Sequence, residues 1–348
     1  MKLENYLIGP NISVLETMKA IGDGAEGIVY VCDNERHLLG VVTDGDIRRH
    51  IIHGGGLDQS INIVMNKKPI TLAPAERHIA DECMQKYSIT SVPIVDGDSI
   101  IQEIFFLDSS IRPLRNKINV PVVIMAGGKG TRLAPYTQIL PKPLIPIGEK
   151  TIIEHIIDRF MDAGCNSFDI IVNYKRHLIK SYFRDIETSA YVRFIDEEEF
   201  LGTAGGLKLL AGKYNDSFFM TNCDILIDDD YTKIFEHHKS NSCIATIVSA
   251  VKNTTLPYGV IESTQDGYVA SIKEKPDVTT VVNTGFYVLE PEFIDRIPNN
   301  TFIHITDVLK DCISDNKRVG MYPISGDNWM DMGQMDELQI MSKKILTN

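Results

Sequence analysis

Residues 120–148 read VPVVIMAGGKGTRLAPYTQILPKPLIPIG. The apolar run from Val120 to Met125 predicts a buried strand, and the segment AGGKGTR at 126–132 breaks it. Three glycines let the backbone turn tightly and bring its N–H groups close to phosphate oxygens. Arg132 adds a planar, permanently charged donor, and Lys142 lies between two prolines that stiffen its loop. This stretch therefore predicts a strand that leads into a polyphosphate-binding loop.

The spacing of these residues distinguishes the loop from two other phosphate-binding loops. A P-loop ends in Gly-Lys-Ser/Thr, and this loop has no such segment. The loop also does not match the GxGxxG pattern of dinucleotide-binding proteins. The glycine-rich turn, the arginine and the PKP segment at 141–143 together resemble the signature of the sugar-phosphate nucleotidyltransferases, GGxGTRL followed by PKP. A glycine-rich turn alone would be a weak signal, whereas this combination is specific.

The composition of the chain restricts its class. Its 348 residues are 43% hydrophobic and 24% charged, which is typical of a globular protein with a packed core. The formal net charge of −12 argues against nucleic-acid binding, and no apolar run is long enough for a transmembrane helix. The N-terminus lacks the pattern of a signal peptide, and the six cysteines show no zinc-type spacing. We therefore expect a cytoplasmic protein with reduced thiols and with no nucleic-acid or membrane partner.

The first 115 residues contain an internal repeat. The segment GIVYVCD at 27–33 aligns with TSVPIVD at 90–96 at an offset of 63. Each copy follows a helix-like stretch and precedes a second apolar strand, LLGVV or SIIQEIFF. Units of this size that expose an apolar face normally pack against each other. The arrangement resembles a tandem pair of CBS modules, with boundaries near 1–57 and 58–115.

The segment GVVTDGDI at 40–47 matches the adenosine-nucleotide motif of the CBS family. The resemblance implies that Asp46 accepts hydrogen bonds from ribose hydroxyls and that Thr43 supports the ribose or a phosphate. The second copy departs from the motif, with Phe106 and Ser109 at the equivalent offset, so at most one polar ligand site is expected. The alternative is a pair that only mediates dimerisation and orientation, since one fold supports many roles.

A second domain is expected at 116–348, after a basic, proline-containing linker at 112–117. Apolar runs typical of strands alternate there with helix-like segments, which predicts a three-layer α/β fold with a mostly parallel sheet. The resemblance implies the Rossmann-like nucleotidyltransferase form of this fold, whose ligands lie beyond the carboxyl ends of the strands. The predicted strands are 120–126, 168–173, 191–195, 217–222, 243–250, 258–263 and 282–289. The predicted helices are 151–163, 175–186, 203–211, 230–239 and 304–314.

Further motifs of the nucleotidyltransferase family follow in order. The segment LGTAGG at 201–206 matches the family's LGTAG loop, whose small residues let a base and a sugar approach the backbone. The apolar strand FFMTN ends two residues before Asp224, and WMDMG at 329–333 contains Asp331. The resemblance implies that these two aspartates bind a metal ion. The segments EKP at 274–276 and NTG at 283–285 match motifs that contact the sugar and its phosphate.

The resemblance assigns roles to individual residues. The residues expected to contact the nucleotide are Ala126, Gly127, Gly128, Gly130, Thr131, Arg132, Lys142, Gly202, Thr203 and Ala204. The residues expected to contact the sugar 1-phosphate are Gly205, Glu274, Lys275, Asn283 and Gly285. Arg132 and Lys142 are the expected catalytic residues, and Asp224 and Asp331 are the expected metal ligands. The acidic run at 197–199 is typical of a solvated face, although an acid just before the LGTAG loop could accept from guanine N–H groups.

These residue types suit a displacement at phosphorus. A sugar 1-phosphate would attack the α-phosphorus of a nucleoside triphosphate in line and expel pyrophosphate, and repulsion between the two anions is the main obstacle. Lys275 would hold the attacking phosphate, while Lys142 and Arg132 would neutralise the triphosphate. Carboxylates are suitable ligands for Mg²⁺, which is the expected cofactor. The nucleophile is already ionised at neutral pH, so positioning and electrostatics would suffice.

The identity of the substrates follows from resemblance alone. The order of domains, with CBS modules before the transferase, is similar to that of the bacterial guanylyltransferases of legionaminic acid biosynthesis. This similarity implies GTP and glucosamine 1-phosphate, while other nucleotides and sugar 1-phosphates stay open. A purine nucleotide effector at the CBS pair and assembly into a homo-oligomer are also expected. Two other functions stay open: a nucleotide-sensing regulatory subunit with an inactive transferase domain, and a cytidylyltransferase for phosphocholine-like substrates.

Overall fold

The chain divides into two compact units, Met1–Leu114 and Arg115–Asn348. The computed structural model describes residues 3–24, 27–87, 89–107 and 117–333. The boundary between the units lies one residue before the predicted one. Ser109 and most of the predicted linker, 112–116, lie outside the described residues. Within the described part of the chain, no helix has the length and apolar character needed to cross a membrane.

The first unit consists of two hairpins with their helices. The described strands are β1 (Leu7–Ile8), β2 (Ile28–Cys32), β3 (Leu38–Thr43), β4 (Ser91–Val95) and β5 (Ile101–Phe106). The described α-helices are α1 (Val14–Gly24), α2 (Asp44–Ile52) and α3 (Ala80–Tyr87). Strands β2 and β3 form one antiparallel hairpin, with β1 parallel to β2, and β4 and β5 form the other hairpin. Helix α1 precedes the first hairpin and α3 precedes the second, as the repeat predicts.

The two hairpins share the same turn geometry at the predicted offset of 63 residues. In each turn one aspartate, Asp33 or Asp96, accepts backbone N–H bonds through Oδ1 from the residues two and four positions later. The residue three positions after each aspartate, Arg36 or Ser99, has a positive φ, at 69° and 64°. A duplicated turn of this kind supports the interpretation of residues 1–114 as two copies of one unit.

The second unit is an α/β domain. Its described strands are β6 (Val122–Ala126), β7 (Pro146–Ile147), β8 (Lys150–Thr151), β9 (Ser167–Val172), β10 (Tyr191–Asp196), β11 (Phe218–Asn222), β12 (Ile225–Ile227), β13 (Ala245–Thr255), β14 (Val260–Ser263), β15 (Val269–Lys273), β16 (Asp277–Leu289), β17 (Val319–Ser325) and β18 (Trp329–Asp331). Its described α-helices are α4 (Tyr136–Ile139), α5 (Ile152–Asp162), α6 (Arg176–Asp185), α7 (Gly202–Gly205), α8 (Tyr231–Asn241), α9 (Pro291–Asp295) and α10 (Ile305–Ser314).

A seven-stranded sheet with the order β10-β9-β6-β11-β16-β13-β17 forms the middle layer of this unit. Its neighbouring strands are parallel except where β16 pairs with β11 and with β13. Successive residues of β6 face opposite layers: Ile124 packs in one apolar cluster with Phe160 of α5, and Val123 packs in another with Leu309 of α10. Helices thus cover both faces of the sheet, and the mostly parallel three-layer fold is confirmed.

The connections of the sheet determine where a ligand would bind. From β6 the chain moves outward to β9 and β10, and it then returns to the other side of β6 to form β11. The carboxyl ends of β6 and β11 therefore flank a topological switch point, which is where open α/β sheets form their ligand crevice. Strands β13 and β16 extend well beyond the predicted 243–250 and 282–289, because they continue as a two-stranded ribbon.

All six cysteines are buried and free. Burial raises the pKa of Cys32 to about 11 and the pKa of Cys165 to about 12. The pKa of Cys223 is raised to about 12, chiefly by burial and further by the adjacent carboxylate of Asp224. The cysteines thus pack as small apolar residues, as the sequence predicts.

Candidate active site

The glycine-rich loop closes against the segment that carries Lys142. Strand β6 is fully buried and ends at Ala126. Gly130 has a φ of 65°, and a Cβ added to it would lie 2.9 Å from Thr137 Cγ2 and 3.0 Å from Lys142 Cβ. The Thr137 hydroxyl also donates to the Gly130 carbonyl at 2.9 Å. Because both the φ and the space require glycine, Gly130 fixes the loop beside Lys142, while Arg132 is left exposed.

Lys142 and Asp224 form a buried ion pair at the carboxyl ends of β6 and β11. Each residue is only 8% exposed, and the Lys142 Nζ donates to the Asp224 Oδ2. The backbone of Asp224 is held in place as well, since its carbonyl accepts from the Met332 N–H at 2.8 Å. A buried charge is tolerated only when it is paired, so each of these two groups stabilises the other.

Asp331 completes this charged cluster. Strand β18 pairs with β12 so that Asp331 lies opposite Ile225, next in sequence to Asp224. The Gly333 N–H donates to the Asp331 Oδ1 at 2.8 Å. A Cβ added to Gly333 would lie 2.7 Å from Asp331 Oδ1, 3.1 Å from Asp224 Oδ2 and 3.3 Å from Lys142 Nζ. Two carboxylates and an ammonium group therefore surround one point, and carboxylate oxygens are the ligands that a hard divalent cation prefers.

The NTG motif lies at a bulge of β16, beside the end of β11. The register of β16 against β13 shifts between Asn283 and Phe286. At the bulge Gly285 has a φ of 87°, and a Cβ added to it would lie 2.5 Å from the Asn222 Nδ2. The Asn283 Oδ1 accepts from the Gly285 N–H at 3.0 Å, which stabilises the bulge.

Asn222, the last residue of β11, contacts this bulge and is not among the site residues that the sequence predicts. Its position at the end of a buried strand is the signal that could have identified it.

The LGTAG loop packs against the segment that leads into α10. Gly202 has a φ of 83°, and a Cβ added to it would lie 2.5 Å from the Ile303 carbonyl oxygen. The Thr203 hydroxyl accepts from the N–H of Ile305, the first residue of α10, at 3.0 Å. These small residues thus have a packing role that the sequence analysis did not foresee. Contact of the loop with a base and a sugar stays a prediction.

Glu197 corrects the expectation of a solvated acidic run. Glu198 and Glu199 are exposed as expected, but Glu197, which follows β10 directly, is only 1% exposed. Its Oε1 accepts from the Leu201 N–H at 3.0 Å, and a Cβ added to Gly127 would lie 2.6 Å from its Oε2. Burial raises the pKa of the Glu197 carboxyl. One buried carboxylate therefore joins the start of the glycine-rich loop to the start of the LGTAG loop.

The EKP motif is exposed, unlike the buried pair of Lys142 and Asp224. Glu274 and Lys275 follow β15 of the β14–β15 hairpin, and both are exposed. Lys275 has a φ of 45°, which is unusual for a residue other than glycine, and it directs the chain out of the hairpin towards β16. The contacts of both residues with a sugar 1-phosphate stay predictions.

In the first unit, Thr43 and Asp46 bond to each other at the start of α2. The N–H and the hydroxyl of Thr43 donate to the Asp46 Oδ2 at 2.9 and 2.6 Å, and Arg49 donates to the Asp46 Oδ1. Thr43 is the N-cap of the helix, and the Asp46 N–H donates back to its hydroxyl at 3.2 Å, which completes a capping box. Their expected role in nucleotide binding stays a prediction, next to this role in starting the helix.

Two family models match the chain. The model described as nucleotidyl transferase matches residues 121–348, and the model described as CBS domain matches residues 4–53. The CBS match covers the first copy of the repeat, so the CBS assignment of the second copy rests on the repeat itself.

Curated proteins also match the chain. The UTP–glucose-1-phosphate uridylyltransferase of Synechocystis sp. is 33% identical over 235 residues, and the match covers 62% of this chain and 60% of that protein. The mannose-1-phosphate guanyltransferase of Candida albicans is 33% identical over 224 residues, and the match covers 61% of this chain and 60% of that protein. The chain thus spans about 60% of the length of these curated relatives.

The crystal structure of HddC from Yersinia pseudotuberculosis aligns with a TM-score of 0.51 at 26% identity, over 65% of this chain and 99% of that one. The part of the chain matched by the nucleotidyl transferase model contains the glycine-rich loop, Lys142 and both aspartates of the charged cluster. It also contains the whole seven-stranded sheet. The chain therefore belongs to the nucleotidyl transferase family.

Proposed function

We propose that the chain transfers a nucleoside monophosphate from a nucleoside triphosphate to a sugar 1-phosphate and releases pyrophosphate. The observation that carries this proposal is the cluster of Lys142, Asp224 and Asp331 beside the glycine-rich loop, at the switch point of the sheet. Curated relatives named for uridylyl and guanylyl transfer to sugar 1-phosphates support the reaction class.

The residues of the site would act by positioning and charge. The glycine-rich loop and Arg132 bind the triphosphate, Lys142 neutralises charge close to the α-phosphate, and Lys275 holds the sugar phosphate. An oxygen of the sugar phosphate forms the new bond to the α-phosphorus, the bond from that phosphorus to the bridging oxygen breaks, and pyrophosphate leaves with the electron pair. No side chain has to accept a proton, because the attacking phosphate is already ionised.

Asp224 and Asp331 would hold a divalent metal ion, which we propose to be Mg²⁺. Their carboxylate oxygens fit this ion because both are hard donors and both face one point beside Gly333. When it is bound, Mg²⁺ supplies neutralisation of charge on the phosphate oxygens. The side chains of Lys142 and Arg132 add to that neutralisation from the loop side.

We propose GTP as the preferred donor, and Glu197 supports this choice. Guanine presents two neighbouring N–H donors, and one ionised carboxylate can accept from both. Glu197 is buried, and its carboxylate lies between the start of the glycine-rich loop and the LGTAG loop, whose small residues are expected to let a base approach the backbone. Relatives named as mannose-1-phosphate guanyltransferases are consistent with a guanine nucleotide.

We propose glucosamine 1-phosphate as the acceptor. Support comes from the order of domains, which is similar to that of the guanylyltransferases of legionaminic acid biosynthesis. We further propose that the CBS pair binds a purine nucleotide that regulates the transferase, and that the chain forms a homo-oligomer. The CBS match over residues 4–53 supports the first of these two proposals.

A matrix of substrates tests the proposed reaction. Each of GTP, UTP, CTP, dTTP and ATP is combined with glucosamine, mannose, glucose or N-acetylglucosamine 1-phosphate or with phosphocholine, and pyrophosphate release is measured with Mg²⁺ and with EDTA. We expect Mg²⁺-dependent release, highest with GTP and glucosamine 1-phosphate. Release with CTP and phosphocholine alone would identify a cytidylyltransferase. No release from any pair by the folded chain would favour a nucleotide-sensing subunit and end the proposal.

A further inference from the structure

We propose that Lys142 blocks the metal site in the nucleotide-free enzyme, so that metal binding and triphosphate binding depend on each other. The Lys142 ammonium covers the Asp224 Oδ2 that a metal ion would use, and the triphosphate gives Lys142 a new partner when it arrives. This inference rests on the proposed function, because it concerns the metal ion and the triphosphate of that same site.

The positions of three charged atoms carry the inference. The Lys142 Nζ donates directly to the Asp224 Oδ2, and the side chains are only 10% and 12% exposed. The same Oδ2 lies 3.1 Å from the position of a Cβ on Gly333, and the Asp331 Oδ1 lies 2.7 Å from that position. The Lys142 Nζ is 3.3 Å from it. The ammonium is thus paired with the Asp224 carboxylate and lies near the same point as the Asp331 carboxylate.

Packing around Lys142 holds its backbone in place. Pro141 and Pro143 flank the residue, and Gly130 packs against its Cβ and Cδ. The segment from Lys142 to Leu144 is a short 3-10 helix with all three residues buried. A change of partner for Lys142 therefore requires rotation of its outer side-chain bonds and no rearrangement of the loop.

Electrostatics makes the two cations competitors. An ammonium and a divalent ion on the same buried carboxylate repel each other strongly, because little solvent lies between them to screen the charges. Lys142 must also stay paired while it is buried, so a metal ion alone cannot displace it without cost. The phosphate oxygens of a triphosphate accept strong charge-assisted hydrogen bonds from an ammonium and would release Asp224. Thermodynamic linkage then requires that a bound metal ion also favours the triphosphate.

Binding of Mn²⁺ without nucleotide tests the inference without any turnover. Electron paramagnetic resonance measures free Mn²⁺ in titrations of the full-length wild type, Lys142→Gln and Lys129→Gln. We expect Lys142→Gln to bind Mn²⁺ more tightly than the wild type by a factor of about ten or more, because the competing cation is gone. Lys129→Gln is the matched control: it removes the same charge from the exposed part of the glycine-rich loop and should bind Mn²⁺ as the wild type does. Equal or weaker binding by folded Lys142→Gln would overturn the inference.

Two further measurements test whether Mn²⁺ binds at Asp224 or at another site, and one of them uses only the wild type, so it does not depend on the folding of a variant. In Lys142→Gln that also carries Asp224→Asn, the tighter Mn²⁺ binding should disappear. In wild-type crystals soaked with Mn²⁺ and no nucleotide, anomalous scattering should show no Mn²⁺ on Asp224, with Lys142 still paired to it. Mn²⁺ bound to Asp224 and Asp331 beside an unmoved Lys142 would refute the inference even if the variants did not fold. Pyrophosphate release in the substrate matrix tests the proposed function, and Mn²⁺ binding tests the competition with Lys142. Because the two measurements are independent, either proposal can fail without the other.

Discussion

At Gly285, a left-handed backbone conformation and a close contact occur at the same residue of this site. It has a φ of 87°, and an added Cβ would lie 2.5 Å from the Asn222 side chain. We expect Gly285→Ala to lower the free energy of unfolding by the cost of the left-handed conformation, about 1 kcal/mol, and by a further 1–3 kcal/mol from overpacking. Urea unfolding followed by the fluorescence of Trp329, the single tryptophan of the chain, measures this.

A matched glycine separates the two contributions. Gly267, in the turn between β14 and β15, has a φ of 83° but nothing within 4 Å of an added Cβ. Gly267→Ala should therefore show the cost of conformation alone. If Gly285→Ala were no more destabilising than Gly267→Ala, the contact with Asn222 would have no energetic weight.

Glu197 is the residue on which the choice of GTP depends. We expect Glu197→Gln to lower the ratio of kcat/KM for GTP over UTP by roughly 10- to 100-fold, because an amide cannot accept from both guanine donors. Steady-state pyrophosphate release with each nucleotide gives the ratio. Glu198→Gln, at the exposed neighbouring position, is the control and should leave the ratio unchanged. An unchanged ratio in Glu197→Gln would remove this residue from base recognition.

At the scale of elements, Thr203 links the LGTAG loop to the start of α10. Its hydroxyl accepts from the Ile305 N–H, and His304, the N-cap residue of that helix, makes no side-chain cap bond of its own. Thr203→Val keeps the shape and leaves this N–H unpaired, so we expect a loss of about 1 kcal/mol in the free energy of unfolding. Thr203→Ser keeps the hydroxyl and should lose much less. A rise in KM for the nucleotide with unchanged stability would instead assign the hydroxyl to the ligand.

The elements also show how far the sequence alone leads. The alternation of apolar strands and amphipathic helices predicts the layers and six of the seven strands of the central sheet, because burial dictates both patterns, but it does not predict β17. The order of the motifs predicts Asp224 and Asp331 as metal ligands. It does not predict that Lys142 pairs with Asp224, because the two residues are 82 positions apart in sequence. Nor can spacing reveal that Gly202 faces the Ile303 backbone. The sequence pattern predicts a solvated run at 197–199, because three neighbouring acids look alike in sequence, although Glu197 is buried after the end of β10.

At the scale of the whole molecule, the proposed regulation can be tested through Asp46. The CBS unit should bind a purine nucleotide, and Asp46→Ala should weaken that binding by roughly 10- to 100-fold through lost hydrogen bonds to a carboxylate. Calorimetry with AMP, ATP, GMP and GTP on the full chain measures the affinity. Because Asp46 also completes a capping box, Asp44→Ala is the control: it removes an acid of the same helical turn that pairs with Arg48.

The rate of the transferase completes this test. If the first unit regulates the second, removal of residues 1–115 should abolish the response of the rate to the nucleotide. If the full chain binds none of the four nucleotides, and if removal of these residues changes neither the rate nor the oligomeric state, the regulatory proposal is refuted.

Because every cysteine is buried, the reaction of the thiols with an alkylating reagent reports when the chain unfolds. A thiol reacts with an alkylating reagent as the thiolate, so burial and a raised pKa together make the folded chain almost inert to it. Cys32 and Cys83 belong to the first unit and the other four cysteines to the second. Intact-mass spectra after a pulse of alkylation should therefore show additions of two or of four labels if each unit opens as a whole. A continuous spread from one to six labels would mean that the thiols are exposed by local fluctuations.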